Sequence, residues 1–201
     1  MRESIQRLSL ARSKFGPAPR FSAEDAVRCL AVLERRTGRA ALARLLGVGE
    51  GTARTVINSI AEKNLVSSSP AGHKLTFRGS ALLASIRESA VSLQPVAASR
   101  LTFGLPSHAI QLRGVAAVGP LRLRDEAVRC GAAGAVYFVF GRDGLFMPPF
   151  HSKTHREYQR ELRALAHHFH FEEGDSLLLA YGGEPAFRER ALWRACMLFG
   201  V

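Results

Sequence analysis

Arg54, Thr55 and Asn58 fall within five residues of each other in the stretch EGTARTVINSIAEKN, residues 50–64. An arginine guanidinium pairs bidentately with a guanine edge, an asparagine amide does the same with adenine, and threonine offers a hydroxyl and a methyl group. That chemistry requires the three side chains to share one outward face. The residues between them supply it. Ala53, Val56, Ile57 and Ile60 recur at helical spacing, so burying them turns Thr52, Arg54, Thr55, Asn58, Ser59 and Glu62 toward solvent. Glu62 would repel phosphate and fits plain exposed surface. The others form a candidate DNA-facing set, joined by Arg39 ahead of them and His73 and Lys74 behind.

The flanking sequence contains the elements that would hold such a face. A first helix starts at the N-cap candidate Ser22, with Glu24 and Asp25 complementing its dipole and Val27, Leu30 and Leu33 on one side. Arg35-Arg36 close it, and Thr37-Gly38 break the chain. Leu42, Leu45 and Leu46 form the apolar stripe of a second helix from Arg39, and Gly47-Val48-Gly49 is a tight turn into a third, from about Gly49 to Lys63. Two short helices around a glycine turn are the layout of a helix-turn-helix, whose second helix enters the major groove. Asn64 follows at a position that needs a left-handed residue. Residues 65–77 then show two β-prone runs around Pro70-Ala71-Gly72, a hairpin expected to carry His73 and Lys74 at its tip, over the sugar-phosphate backbone. Ser80 to Ser92 reads as a further helix, with Leu82, Leu83, Ile86 and Val91 apolar.

The run TARTVINSIAEKNLV…GHKLTFRGSALL resembles winged-helix regulators of the MarR and DtxR type. Their pattern is a helix-turn-helix, then L-x-x-x-G-L-V, a wing, and L-T-x-x-G opening another helix. The matching positions are Ile60, Asn64 (a departure from Gly), Leu65-Val66, Leu75-Thr76 and Gly79. The resemblance covers residues 22–90 and implies double-stranded DNA as partner.

Charge points the same way. The 201 residues carry a net +11. Residues 1–100 hold 16 Lys/Arg against 7 Asp/Glu, whereas residues 101–201 hold 12 against 10. The positive field therefore belongs to the half with the helix-turn-helix, as expected of a phosphate-contacting module with a near-neutral companion. No run approaches the roughly 18–20 apolar residues of a spanning helix, and the N-terminus has no signal-peptide core. Cys29, Cys130 and Cys196 are scattered without a CxxC pair, so they read as three buried reduced thiols of a cytoplasmic protein. Residues 1–20, with Arg2, Arg7, Arg12, Lys14 and Arg20 against Glu3 alone, read as a basic tail.

Domain 21–93 is expected to be followed by a linker at 94–107 and an α/β domain at 108–201. In that second half Ala109–Val115, Ala135–Phe140, Leu145–Met147 and Ser176–Tyr181 are strand candidates. Leu121–Cys130, Thr154–Phe171 and Glu184–Phe199 are helix candidates. Gly141-Arg142-Asp143-Gly144 is a hairpin turn, ended downstream by Pro148-Pro149. The order βαββαβα predicts a ferredoxin-like sandwich or a similar layered fold, and the whole chain an α+β class. The stretch LRDEAVRCGAAGAVYFVFGRDGLFMPP also resembles the C-terminal domain of a small archaeal family of winged-helix proteins, through its Arg-Asp-Glu-Ala helix, glycine-alanine turn and strand-turn-strand ending in proline. This resemblance implies a sensor-plus-reader architecture.

Arg124, Asp125 and Glu126, opening a helix that feeds Gly131-Ala132-Ala133-Gly134, are the candidate effector-binding residues. His151 and His155 at i, i+4 and the cluster His167, His168, His170 raise a metal site. Pro148-Pro149 breaks the helix the first pair needs, and adjacent histidines diverge by about 100° on a helix, so no metal is expected. Nor does a nucleophile–base pair, P-loop or paired-carboxylate motif appear, so neither catalysis nor a cofactor is expected. The sequence thus predicts a cytoplasmic, homodimeric, DNA-binding transcriptional regulator with an unknown small-molecule effector. The alternatives are a protein-interaction module or, further off, an enzyme with its site in the C-terminal domain.

Overall fold

The computed structural model describes residues 21–97, 99–114, 119–148 and 157–199. The basic tail 1–20 and the histidines His151 and His155 lie outside them. The chain divides into two compact units, residues 1–86 and 87–201.

The first unit contains helices α1 (Ala23–Val32), α2 (Arg39–Leu46) and α3 (Glu50–Glu62), strands β1 (Val66–Ser69) and β2 (Gly72–Leu75), and most of helix α4 (Phe77–Ser89). The apolar stripes meet as their spacing requires except at Leu45, expected on the stripe of α2 but 52% exposed, because α2 buries the side that carries Leu42, Ala43 and Leu46. Val27, Leu30, Leu33, Leu42, Leu46, Val56 and Ile60 are all fully buried. Ser22 and Asp25 form a capping box that starts α1, using donors the first turn leaves unpaired. Gly47 (φ 66°) ends α2 in the left-handed conformation that glycine adopts without steric cost. Asn64 (φ 58°) does the same after α3, with Asn64 N–H donating to Ala61 O at 2.8 Å and Leu65 N–H to Ile60 O at 3.1 Å. These two bonds are a Schellman closure with asparagine in the glycine position.

The hairpin β1–β2 is antiparallel, pairing Val66 with Leu75 and Ser69 with Gly72, and Thr37 adds an isolated bridge to His73. Its two-residue turn is Pro70-Ala71. His73 and Lys74 therefore sit in β2, not at the tip, because the register places Gly72 opposite Ser69. Helix α4 begins at Phe77, three residues earlier than the apolar spacing suggests, because Thr76 caps it. The Thr76 hydroxyl donates to Asn64 O at 2.7 Å and accepts from Gly79 N–H at 3.1 Å.

The second unit is one five-stranded sheet with helices on both faces. Its strands are β3 (Ala90–Val96), β4 (Ser107–Leu112), β5 (Gly134–Gly141), β6 (Gly144–Phe146) and β7 (Ser176–Tyr181), in spatial order β3-β4-β7-β5-β6 and antiparallel throughout. Its helices are α5 (Pro120–Arg129), α6 (Gln159–Ala166) and α7 (Pro185–Phe199), with a 3-10 turn at Arg100–Thr102. A ferredoxin-like sheet would separate the first and last strands of a βαββαβ unit differently and make its central pair parallel. Here β7 lies between β4 and β5, so that expectation is corrected while the mixed α+β class stands. The segment expected to end a helix and begin a linker instead supplies an edge strand, β3. Its alternation through Val91, Leu93 and Pro95 was masked by the proline, which an edge strand tolerates.

One face of this sheet (Ala109, Phe138, Leu177 and Leu179) packs against Leu162 and Leu165 of α6 and against Phe169. On the other face lie α5 and α7, in contact with each other and with β4, β5 and β7. Helix α6 is shorter than the 154–171 span expected, ending at Ala166 with His167 as its C-cap.

Candidate functional site

The candidate DNA-facing residues lie on the outer face of α3. Ala53, Val56, Ile57 and Ile60 are buried, Arg54, Thr55 and Asn58 are exposed, and Thr52 and Ser59 are partly exposed at the flanks. The 3.6-residue period alone accomplishes this separation. Within the set the side chains are not equivalent. The Thr55 hydroxyl donates back to Gly51 O at 3.0 Å, so its proton is engaged by its own helix and it offers a methyl group and lone pairs. Arg39 forms an exposed pair with Glu50 at 3.3 Å, which places an acid at the start of the same helix.

His73 is half-buried, with its Nδ1 2.7 Å from the Ser68 hydroxyl. Burial, and then the charge of Arg39, lower its pKa from the ordinary histidine value. At neutral pH it therefore adds no positive charge, and it stiffens the hairpin. Lys74 beside it is exposed.

Two basic residues that periodicity did not single out prove structural. Arg28 is buried in α1 and donates to the carbonyl oxygens of Leu46 (2.9 Å) and Leu45 (3.2 Å). Arg36 donates to the Ser69 hydroxyl at 2.7 Å, fastening the end of α1 to the hairpin.

In the second unit the triad Arg124, Asp125 and Glu126 does not act as one cluster. Arg124 and Asp125 are more than half exposed and pair with each other at 3.1 Å. Glu126 turns the other way, toward Arg129 and toward Arg194 of α7 at 3.4 Å, so its role is to join two helices. Of the three, only Arg124 lines the cavity of about 550 Å³ that opens beside β5.

Histidines 167, 168 and 170 are exposed, and the backbone carbonyls of His168 and His170 accept from Gln94 (2.6 Å) and Gln111 (2.7 Å). Among the described residues no three metal-ligating side chains gather. Cys29 and Cys196 are buried, burial pushing the first thiol up to about 12 and the second higher still, whereas Cys130 is only half-buried. Among the described residues no helix is long and apolar enough to cross a membrane.

This architecture defines a two-unit chain, helical with a hairpin in its first part and an antiparallel sheet in its second. Comparison with known proteins divides it in the same way. Residues 22–81 match the family described as PH0730-like, N-terminal domain, and residues 103–197 match Domain of unknown function (DUF4443). Among solved structures the chain is similar to "Hypothetical protein PH0730 from Pyrococcus horikoshii OT3", with a TM-score of 0.77 at 20% identity, over 89% of this chain and 92% of that one. At that identity the likeness is one of fold. No curated protein matches the sequence. Together the matches fit a small archaeal two-domain family.

Proposed function

We propose that this protein is a winged-helix, sequence-specific DNA-binding transcriptional regulator, acting as a homodimer whose DNA affinity is modulated through the C-terminal unit. The observation that carries the reading is the composition of the exposed face of α3. A helix preceded by a glycine turn presents arginine, threonine and asparagine outward, the side chains whose hydrogen-bonding edges match base pairs. Three further features support it. The hairpin follows this helix, and an isolated bridge from Thr37 to His73 ties it to the segment between α1 and α2. Exposed Lys74 lies on the hairpin. The surplus of basic residues is concentrated in the same half of the chain.

In this reading Arg54 and Asn58 contact bases, Thr52 and Ser59 contact the backbone or base edges, and Lys74 contacts phosphate. Two copies would set recognition helices into successive major grooves. A ligand in the C-terminal unit would change operator affinity only through a difference in its own affinity for the two states of the dimer.

A docking alternative has one observation in its favour. Phe77 is 92% exposed on the first turn of α4 and Leu45 is 52% exposed on α2, apolar surface that a partner protein would cover. Salt separates the two readings, because phosphate contacts release counterions. The test is fluorescence anisotropy on the chain's own upstream DNA and on a scrambled duplex, at two salt concentrations, with Arg54→Ala alongside. The regulator reading expects preference for its own DNA, weakening with salt and relaxed in the variant. Equal, weak binding to both duplexes, unchanged by the substitution, overturns it.

A further inference from the structure

The cavity beside β5 exists because β6 stops short. Strand β6 pairs with β5 only at Val139–Gly141. Continuing that register would set Pro148 opposite Tyr137, and proline has no N–H to complete the pair. Among the described residues no strand therefore flanks β5 on this side from Ala135 to Phe138. Phe140 exchanges hydrogen bonds on the β7 side, with Asp175 and Gly174, so by alternation Ala135 and Tyr137 aim their main-chain N–H and C=O groups the other way, at the cavity they line.

The walls are aromatic and two arginines line the cavity. Phe103 and Tyr181 meet with ring centroids 5.8 Å apart, and Arg100 sits 5.1 Å over the ring of Tyr158. Phe103 holds a left-handed φ of 52° while 79% exposed, a conformation that bulky residues avoid unless the surroundings impose it. Arg100 and Arg124 are the lining cations and Glu157 the lining acid, with Glu161 4.0 Å from Arg100 and Asp125 3.1 Å from Arg124. Among the described residues Arg124 pairs with its sequence neighbour Asp125 in an exposed pair, a weak tie that leaves the guanidinium able to turn inward. The volume of about 550 Å³ lies within the roughly 300–1,000 Å³ typical of small-ligand sites.

We infer that this cavity binds a small planar acid: an aromatic or heteroaromatic ring bearing one carboxylate. The ring stacks against Phe103 and Tyr181. The carboxylate meets Arg100 and Arg124, and a polar ring atom reaches the open main-chain groups of Ala135 and Tyr137. A cationic ligand is disfavoured because Arg100 already occupies the face of Tyr158. The inference deepens the effector half of the function proposed above and rests on it for its regulatory meaning.

The experiment titrates the isotope-labelled full chain with indole-3-carboxylate, its neutral carboxamide and benzylamine, following amide shifts. The acid is expected to bind saturably with shifts centred on Ala135 and Tyr137, and the carboxamide about tenfold more weakly or worse, the loss of a charge-assisted contact. Arg124→Gln and Arg100→Gln are each expected to weaken the acid by about tenfold and to leave the carboxamide unchanged, while Phe103→Ala weakens both. No saturable binding of the acid, equal binding of acid and carboxamide, or shifts centred elsewhere overturns the inference. Operator anisotropy on the same preparation keeps the two proposals apart. Selective DNA binding without acid binding overturns the ligand class alone, whereas acid binding without DNA selectivity overturns the regulator reading and supports the site.

Discussion

The guanidinium of Arg28 donates to the carbonyl oxygen of Leu46 at 2.9 Å. Leu46 closes α2, where the last carbonyls have no intrahelical donor, so a charge buried in α1 completes the neighbouring helix at its turn into α3. Asp25 stands 3.3 Å away on the same helix as the counter-charge. Arg28→Met keeps the bulk but removes the donors and strips the cation from a buried carboxylate. It is expected to cost about 3 kcal/mol in urea unfolding followed by helical circular dichroism. A loss below about 1 kcal/mol would show that water replaces the guanidinium.

Gly79 packs so closely on the main chain after α3 that a Cβ there would run into the carbonyl oxygen of Leu65. Gly79→Ala is therefore expected to destabilise the first unit by about 2 kcal/mol, against the gain that glycine-to-alanine changes bring in an open helix. Thr76→Val, which removes the cap but keeps the shape, should cost about 1 kcal/mol. Equal stability of Gly79→Ala and the parent in urea would contradict the packing.

His108 is buried, accepts at Nδ1 from Arg188 Nε at 3.0 Å, and has Glu189 4.0 Å from its Nε2. Burial and then the charge of Arg188 lower its pKa to about 4. Since the unfolded histidine titrates near 6.5, the unfolded state takes up the proton first as pH falls. Stability is thus intact above about pH 6.5 and declines toward pH 4, by on the order of 2 kcal/mol from this group. His108→Asn, which retains an acceptor for Arg188, should lose this component. The comparison is urea unfolding at pH 7 and pH 4.5, followed by the fluorescence of Trp193, the only tryptophan, in α7. Parallel pH profiles for the two proteins would count against the assignment.

Glu50 holds Arg39 in an exposed pair at the start of α3 and brings a negative charge to the proposed DNA face. Glu50→Gln is expected to raise affinity for any duplex several-fold at low salt, with little change in sequence preference, and the gain should shrink as salt increases. Lys74→Ala should lower affinity evenly across sequences and reduce the salt slope by about 1. Anisotropy across a salt series measures both, and weaker binding by Glu50→Gln would place the acid away from the nucleic acid.

Local interactions explain how much of this was legible. The α1–α3 stripes apart from exposed Leu45, Asn64 as a left-handed stop, the hairpin turn at Gly141–Gly144 and strand β7 all follow from patterns within a dozen residues, and each occurs where periodicity or turn chemistry places it. The outward set on α3 was legible for the same reason, since burying one helical stripe dictates the other. Edge strand β3 was not, because Pro95 and a short alternation resemble a linker until β4 pairs with it.

From the sequence alone came the residue types able to meet DNA, the two-part organisation and the alternation of elements in the second part. The tertiary structure alone decided the strand order, the division of Arg124 from Glu126, the pairing of Arg39 with Glu50 and the cavity that Pro148 leaves beside β5. Each of these depends on which distant segments become neighbours, and spacing along the chain carries no record of that.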